Sequence, residues 1–197
     1  VEHLLHRPDD YIGAFRKLPG NLQLMTVHAL QSVVFNKSLH ARLAAEHPIS
    51  WPVAGDMVGR IDEKGQLDAS SCVVVEERTL PRIIRNCELG RLSPTGPLPG
   101  TEIKTCEGKS GDIEKQVIDS MGLTDMDWNV EAIPRLSTRG TRRSLVTSFN
   151  ELSVDNVPLA DDESMGERWK TGPNENSRWH PEGACIRFRF TLASGSY

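Results

Sequence analysis

Four arginines that fall within nine positions of one another are the residues of this sequence best suited to bind an anion. They are Arg135, Arg139, Arg142 and Arg143, with Gly140 between them. A guanidinium group donates two parallel hydrogen bonds to phosphate oxygens, so a cluster of this kind can form a phosphate-binding surface. The alternative is a solvent-exposed loop whose arginines pair with nearby acidic side chains, and both interpretations stay open at this point.

A second group of basic residues lies on a predicted strand near the C-terminal end. Apolar residues at positions 186, 188, 190 and 192 alternate with Arg187, Arg189 and Thr191. This period of two is typical of a β-strand with one apolar and one polar face. Arg187 and Arg189 therefore share a face, which contacts either a nucleic acid or solvent.

Polar residues interrupt the apolar surface of the longest predicted helix. His28, Ser32 and Asn36 recur at intervals of four and lie along one helix face, flanked by Gln31 and Phe35. Buried polar groups need hydrogen-bond partners. One interpretation is that these side chains bind neighbouring backbone groups, and the other is that this face borders a substrate groove.

Sequence motifs for common enzyme chemistries are absent. The chain has no P-loop, G-x-G-x-x-G, H-E-x-x-H or nucleophile-elbow motif, and its six histidines form no metal-ligand pattern. The four cysteines are widely spaced without a C-x-x-C pair, which argues against a disulfide framework and favours a reducing, cytoplasmic setting. We therefore predict no metal site.

The composition excludes several classes of protein. The 197 residues carry a formal charge of −4, from 23 basic and 27 acidic side chains, which argues against a polybasic protein. No apolar stretch approaches the roughly 20 residues that a membrane span needs, and the N-terminal residues do not resemble a signal peptide. The absence of an initial Met, and an end at Tyr197 just after a strand pattern, lead us to expect a segment of a longer protein.

The longest helix is predicted over residues 22–45, which contain neither Gly nor Pro and carry apolar residues at helical spacing. Asn21 is its expected N-cap. An apolar stripe runs along the first half of this helix, which we therefore expect to be buried. The stripe consists of Leu22, Met25, Ala29 and Val33.

The remaining predicted elements are shorter. Strands are predicted over residues 57–61, 72–76 and 144–149, and helices follow Thr79 and Ser110 as N-caps. Two proline-rich turns predict an irregular segment over 91–100, and residues 155–183 predict an acidic loop. The mixture of strands and helices indicates an α/β (α+β mixed) fold.

Six short segments, in order along the chain, resemble motifs of the TruD-type tRNA pseudouridine synthases, and their spelling is closest to archaeal members. The helix segment from His28 to Asn36, together with Arg42, resembles the family signature A-x-Q-S-x-x-F-N followed by Arg. The segments Pro52–Asp56, Val74–Glu77, Gly96–Gly100, Gly140–Arg143 and Phe188–Tyr197 resemble P-V-x-G-D, V-T-E-E, G-P-L-P-G, G-x-R-R and F-x-L-P-x-G-S-Y. Ala193 stands where the last of these motifs has Pro.

The resemblance implies an isomerase that converts a uridine of tRNA, typically at position 13, to pseudouridine. In this chemistry an Asp carboxylate attacks a flipped-out nucleotide, the glycosidic bond breaks, and the base is rejoined through carbon. The implied partner is tRNA, and the reaction needs no cofactor and no metal. The implied fold is an inserted α/β domain plus fragments of the pseudouridine-synthase catalytic sheet.

Two family motifs are not found in this sequence. They are G-x-K-D-x-x-A, which holds the nucleophilic Asp, and N-x-F-G-x-Q-R-F-G. Both lie upstream of the helix signature in family members, so we expect this chain to lack the nucleophile and to act with a catalytic portion outside it. Asp56 matches a different motif and is not assigned a catalytic role.

The resemblance also implies a division of the chain and roles for single residues. Residues 1–48 are expected to adjoin the catalytic domain, 49–154 to form the insertion, 155–183 the acidic loop, and 184–197 the return strand of the catalytic domain. The implied RNA contacts are Arg135, Arg139, Arg142, Arg143, Arg187 and Arg189. The residues expected near the cleft are Gln31, Ser32, Asn36, Ser196 and Tyr197.

Two other interpretations stay open on the sequence alone. The first is a non-catalytic module that binds RNA or a protein, with the acidic loop, Trp169 and Trp179 as the surface that docks a protein. The second is an independent enzyme that uses the polar face of the long helix. Protein binding without tRNA affinity favours the first of these, and turnover by the chain alone favours the second.

Overall fold

The computed structural model describes residues 2–157 and 185–192, and the chain divides into two compact units, Val1–Thr147 and Ser148–Tyr197. The helices are α1 (Glu2–His6), α2 (Tyr11–Arg16), α3 (Gly20–Ala44), α4 (Leu80–Glu88) and α5 (Gly108–Ser120). The strands are β1 (Met57–Ile61), β2 (Leu67–Val74), β3 (Leu92–Leu98), β4 (Thr141–Ser144), β5 (Phe149–Val157) and β6 (Cys185–Leu192). Short 3-10 turns lie at Glu77–Thr79 and Pro134–Leu136.

The first unit is built on a four-stranded antiparallel sheet with the strand order β2-β1-β3-β4. Helix α3 packs against β3 and α5. Met57, Cys72 and Cys106 form a buried cluster at the sheet. This combination of helices and strands confirms the predicted mixed α/β class.

Strand β3 covers the segment that its prolines predict to be irregular, so that prediction is wrong. Its first half pairs with β1, where Pro94 lies opposite Val58, and its second half pairs with β4, where Pro97 lies opposite Arg142. The first half is thus in register with β1 and the second half with β4, and just past the end of β4 the Leu145 N–H donates to the Pro94 carbonyl at 2.9 Å. A proline nitrogen, which has no hydrogen to donate, is tolerated in a strand where that side has no ladder partner.

Helix α3 confirms the predicted long helix, although Pro19 and not Asn21 takes the N-cap position. Its burial is the reverse of the prediction. The buried face is mostly polar and consists of Gln23, Gln31, Val34, Phe35, Ser38 and Arg42. The apolar stripe is exposed within the described part of the chain, with Met25 at 60%. The reason is that the loops and strands beneath α3 present carbonyl and carboxylate groups, which polar side chains bind.

The other elements of the first unit follow the predicted pattern, with shifts at their ends. β1 covers the predicted residues 57–61, whereas β2 begins earlier than predicted. α4 follows Thr79 and ends before Gly90, whose φ is 68°. α5 begins at Gly108, so Ser110 lies inside the first turn and is not its N-cap. β4 ends at Ser144 and β5 begins at Phe149, so the single strand predicted over 144–149 is not formed.

The second unit contains the antiparallel pair β5–β6. β6 confirms the predicted C-terminal strand. β5 includes residues 155–157, so the acidic loop begins later than predicted. The rest of that loop, with Trp169 and Trp179, lies outside the described residues, as do Ser196 and Tyr197.

The boundary between the compact units falls after Thr147. The four-part division at residues 48, 154 and 183 stays a prediction. Among the helices of residues 2–157, none combines the length and the apolar composition that a membrane-spanning segment requires.

Candidate nucleic-acid interface

Gln31 fastens α3 to two loops of the first unit. Its side-chain Nε2 donates to the backbone oxygen of Pro99 at 2.8 Å and to Thr138 Oγ1 at 3.2 Å. Pro99 follows β3 and Thr138 precedes β4, so one buried amide joins the helix to both connections. This contact matches the interpretation that the polar residues of the helix bind neighbouring backbone groups.

The other polar residues of that helix segment make no comparable contact. Ser32 is half-buried, and His28 and Asn36 are exposed on α3. The spacing of these residues places them on a face that Gln31 does not share. Only Gln31 of this set therefore has a structural role that the hydrogen bonds identify.

Arg42 and Asp56 form a buried bidentate ion pair. The Nη1–Oδ1 and Nη2–Oδ2 distances are both 2.6 Å. Arg42 Nε also donates to the Pro48 carbonyl at 2.7 Å, and Asp56 accepts the Val53 N–H at 2.8 Å. The carboxylate of Asp56 therefore holds the last turns of α3 to the loop before β1.

The ring of Phe35 fills the space beside a glycine of β3. A Cβ atom at Gly96 would lie 2.8 Å from Phe35 Cε2, so any side chain at that position would collide with the ring. The guanidinium carbon of Arg143 lies 5.6 Å from the centre of the same ring, which is a cation–π distance. Arg143 is half-buried, so only part of its side chain is accessible to a ligand.

Arg142 is buried, and acceptors surround all five of its N–H donors. Glu114 accepts from Nη2 at 2.5 Å and from Nη1 at 3.2 Å. Thr95 accepts from Nε through Oγ1 and from Nη2 through its carbonyl, and the Lys104 carbonyl accepts from Nη1, each at 2.8 Å. The side chain is 2% exposed. It has no donor and no surface left for a phosphate, so the prediction that Arg142 contacts RNA is corrected.

Arg139 has the exposure that a nucleic-acid contact requires. Its side chain is 80% exposed, and its Nε and Nη2 donate to Glu102 Oε2 at 2.9 and 2.5 Å. Hydrogen bonding to this carboxylate raises the pKa of Arg139, so the guanidinium stays charged. Because water screens such an exposed pair, a phosphate can replace Glu102 as the partner of Arg139.

Two glycines hold the loops that carry Arg139 and Glu102 against each other. Gly140 has a φ of 77°, which favours glycine, and a Cβ atom at Gly100 would lie 2.0 Å from the Gly140 nitrogen. Backbone bonds join the same loops, with Glu102 N–H donating to the Arg139 carbonyl at 2.9 Å. The backbone of Arg139 is therefore fixed by a close approach that larger residues would prevent.

A groove of about 380 Å³ opens beside Arg139 between the two edge strands, β2 and β4. Its walls include Ser70, Lys104 and Thr141, with Glu102 as an acidic neighbour. Lys104 is exposed, and its Nζ donates to the Cys72 carbonyl at 3.3 Å. Two cationic side chains and two hydroxyl groups at one groove suit the phosphate backbone of a nucleic acid.

The remaining predicted contact residues lie elsewhere in the fold. Arg135 is exposed in the 3-10 turn before β4, and its Nη1 lies beside Gly20 at the start of α3. Arg189 is exposed on β6 in the second unit, and Arg187 lies opposite Asp155 in the backbone register of β5 and β6. The first unit therefore carries Arg135, Arg139 and Arg143, whereas Arg187 and Arg189 belong to the second unit.

Buried thiols are held in their protonated form. Burial raises the pKa of Cys106 to about 12 and that of Cys87 to about 11, and it raises the pKa of Cys72 as well. In the described ranges, no three His, Cys, Asp or Glu side chains are arranged to hold a metal ion.

Lys104 and Glu114 are site residues that the sequence analysis did not single out. Glu114 is four positions after Ser110 and three before Val117, and all three residues are buried on one face of α5. That spacing was a usable signal for a buried acid. The position of Lys104 had no sequence signal, because it depends on how the loop after β3 crosses the sheet.

Comparison with known proteins gives one consistent family. A family model described as tRNA pseudouridine synthase D (TruD) matches residues 1–197. A probable tRNA pseudouridine synthase D of Methanosarcina mazei is 38% identical over 146 residues, which are 74% of this chain and 33% of the relative. The relative of the same name from Methanopyrus kandleri is 33% identical over 197 residues, which are 100% of this chain and 36% of the relative. The chain thus spans about a third of the length of the curated relatives it matches.

A solved structure supports the same relationship. The crystal structure of the putative tRNA pseudouridine synthase D (TruD) from Methanosarcina mazei is similar to this chain with a TM-score of 0.76 and 32% sequence identity. The match covers 100% of this chain and 40% of that chain. The whole of the present fold therefore corresponds to less than half of a larger one.

Proposed function

The chain belongs to the tRNA pseudouridine synthase D (TruD) family, and we propose that it is the tRNA-positioning part of an enzyme that isomerises uridine 13 of tRNA to pseudouridine. A catalytic portion outside these 197 residues supplies the nucleophilic Asp. The observation that carries the proposal is geometric. The family-like motif residues Gln31, Arg42 and Asp56 are engaged in packing, whereas Arg139 stays exposed at a groove.

The buried carboxylates support a non-catalytic role for this part of the enzyme. The reaction needs an Asp that is free to attack the nucleotide. In residues 2–154, for which burial is described, the buried acidic side chains are Asp56 and Glu114, and each is bound to an arginine, Arg42 and Arg142 respectively. A carboxylate held by two guanidinium bonds is not available as a nucleophile.

RNA contacts are assigned first to the groove that Arg139 and Lys104 share. Arg135 is exposed on the same unit, and Arg143 offers the accessible part of its side chain. Arg187 and Arg189 on the second unit stay in the proposal as further backbone contacts. Arginine suits this role because its planar group binds two phosphate oxygens at once.

The activity is tested with a chimera in which this chain replaces the matching segment of the Methanosarcina mazei relative. We expect the chimera to form pseudouridine at position 13 of a tRNA transcript, as measured by mass spectrometry of RNA fragments. We expect no product from the 197-residue chain alone, because its nucleophile is absent. Turnover by the chain alone would contradict the proposal that the nucleophile lies outside these 197 residues. A folded chimera that forms no pseudouridine would contradict the proposed synthase activity.

The groove is tested in the same chimera with Arg139→Ala. We expect weaker tRNA binding and a slope of log Kobs against log salt that is shallower by about 0.7–0.9, because one phosphate contact is lost. The matched control is Arg85→Ala, since Arg85 is also exposed and pairs with Glu88, at 2.9 Å. Equal losses in the two variants would show a general charge effect and remove Arg139 from the interface.

The second candidate, a module that binds a protein through its acidic loop, is decided by the same binding assay. Its loop falls mainly in residues 158–184, outside the described residues. A chimera that binds no tRNA at low salt would favour it. A cytoplasmic location is part of the first proposal, because tRNA is the proposed substrate.

A further inference from the structure

The apolar stripe of α3 is a feature that RNA positioning leaves unexplained. Leu22, Met25, Ala29 and Val33 share one helix face, and all four are exposed in the described part of the chain. The opposite face of the same helix buries Gln23, Gln31, Ser38 and Arg42. A helix that packs only on the first unit and otherwise meets water would be arranged the other way round.

The stripe has the dimensions of a helix-packing surface. It spans positions 22 to 33, which corresponds to about 16 Å along the helix axis. Leu24 on the same helix is also exposed, and so are Tyr11 and Ile12 of α2. What distinguishes the stripe is that its four apolar side chains share one helix face, and a contiguous apolar surface of this kind marks an interface.

The second unit shows the same property independently. Val154 and Phe188 lie opposite each other in β5 and β6, and both are exposed, as are Ile186 and Phe190. A two-stranded sheet is marginally stable in water and needs a further strand or a packed element on its apolar side. Each unit, taken by itself, therefore presents an apolar surface.

We propose that the apolar stripe of α3 packs against the catalytic portion of the synthase, an inference that rests on the proposed function. The occupant follows from the size of the relatives. The solved relative reproduces the fold of this whole chain with 40% of its own length, so most of that protein lies beyond the match. Helix α3 is then a shared helix, whose polar face binds the sheet unit and whose apolar face binds the catalytic portion.

In this arrangement, α3 aligns the sheet unit with the catalytic portion. Gln31 and Arg42 fix the helix to the loops around β3, β4 and β1. The exposed stripe on the opposite face fixes the same helix to the part that carries the nucleophile. A single helix thereby sets the distance between the Arg139 groove and the reacting nucleotide.

Methionine oxidation tests this packing without any substitution. Met25 lies on the stripe, Met126 is exposed outside it, and Met57 is 2% exposed in the core. Peroxide oxidises methionines according to their exposure. The exposures of this chain alone rank Met25 first, Met126 second and Met57 last. In the chimera with the Methanosarcina mazei relative, we expect Met126 to react first and Met25 to slow toward the rate of Met57, as measured by peptide mass spectrometry.

Each outcome of this experiment decides the proposal. If Met25 remains the fastest of the three in the chimera, the stripe is not covered by the catalytic portion and the proposal fails. Protection of Met25 in the isolated chain that is lost on dilution, together with the mass of a dimer, would assign the stripe to a second copy and also overturn it. Because the readout needs neither tRNA nor turnover, an inactive chimera with a protected Met25 would refute only the proposed function.

Discussion

Two arginines only three positions apart have opposite environments in this fold. Arg142 is enclosed by Thr95, Lys104 and Glu114, whereas Arg139 lies on the surface beside Glu102. The difference arises because Arg142 lies on β4 with its side chain on the buried face, whereas Arg139 precedes β4 in a loop. Their substitution should therefore affect different properties of the protein.

The substitution Arg142→Met is expected to lower the free energy of unfolding by about 3–5 kcal/mol, because it leaves the carboxylate of Glu114 buried without its partner. Urea denaturation of the 197-residue chain measures this loss. Arg139→Met is the matched control, and it should leave the unfolding midpoint nearly unchanged because its ion pair is exposed. Similar losses in both variants would contradict the buried role of Arg142.

Alkylation rates test the environment of the thiols. Burial raises the pKa of Cys106 to about 12, so its reactive thiolate is scarce at pH 8 in the folded chain. Burial raises the pKa of Cys87 to about 11, so Cys87 is expected to react before Cys106 as the pH rises. Mass spectrometry of alkylated peptides distinguishes the two. Rapid labelling of native Cys106 at pH 8 would be inconsistent with this burial.

At the scale of elements, α3 is held on the sheet by contacts that differ in kind along its length. Gln31 binds loop carbonyl and hydroxyl groups, Phe35 fills the gap over Gly96, and Arg42 binds Asp56. These contacts come from residues of the family-like helix motif. In this chain the motif therefore builds the junction between a helix and a sheet.

The fit of Phe35 over β3 is tested by Gly96→Ala. The new methyl group would lie 2.8 Å from Phe35 Cε2 and 3.0 Å from Leu145 Cδ2, and overpacking of this kind costs about 1–3 kcal/mol. Thermal denaturation measures the loss. Phe35→Leu in the same chain should restore part of it, because the smaller side chain vacates the contact. Strictly additive effects would show that the two positions do not meet.

At the scale of the whole molecule, the first unit contains a core cluster and buried ion pairs of its own. Both buried ion pairs, Arg42–Asp56 and Arg142–Glu114, and the core cluster around Met57 lie within residues 1–147. We therefore expect a fragment of residues 1–147 to unfold cooperatively, as followed by circular dichroism against urea. A gradual loss of signal without a transition would show that this unit needs further chain to fold.

The sequence correctly located the elements whose signals, such as residue period and end residues, are local. The residue period located α3, β1 and β6, Thr79 and Gly90 bounded α4, and the order of six motifs indicated the family. The irregularity inferred for residues 91–100 was wrong because proline content does not report which strand edges lack a partner. The N-cap roles predicted for Asn21 and Ser110 were wrong because both residues lie inside the first turn of their helices.

The sequence by itself determined which residues share a helix or strand face, because that follows from the geometry of one element. Only the tertiary structure decided which face is buried, because burial depends on what the neighbouring chain presents. In helix α3, Gln31 and Arg42 are buried because loop carbonyl groups and Asp56 accept their hydrogen bonds. Met25 on the opposite face is exposed. The same dependence on distant partners, Thr95, Lys104 and Glu114, buried Arg142 in the fold and left Arg139 exposed at the surface.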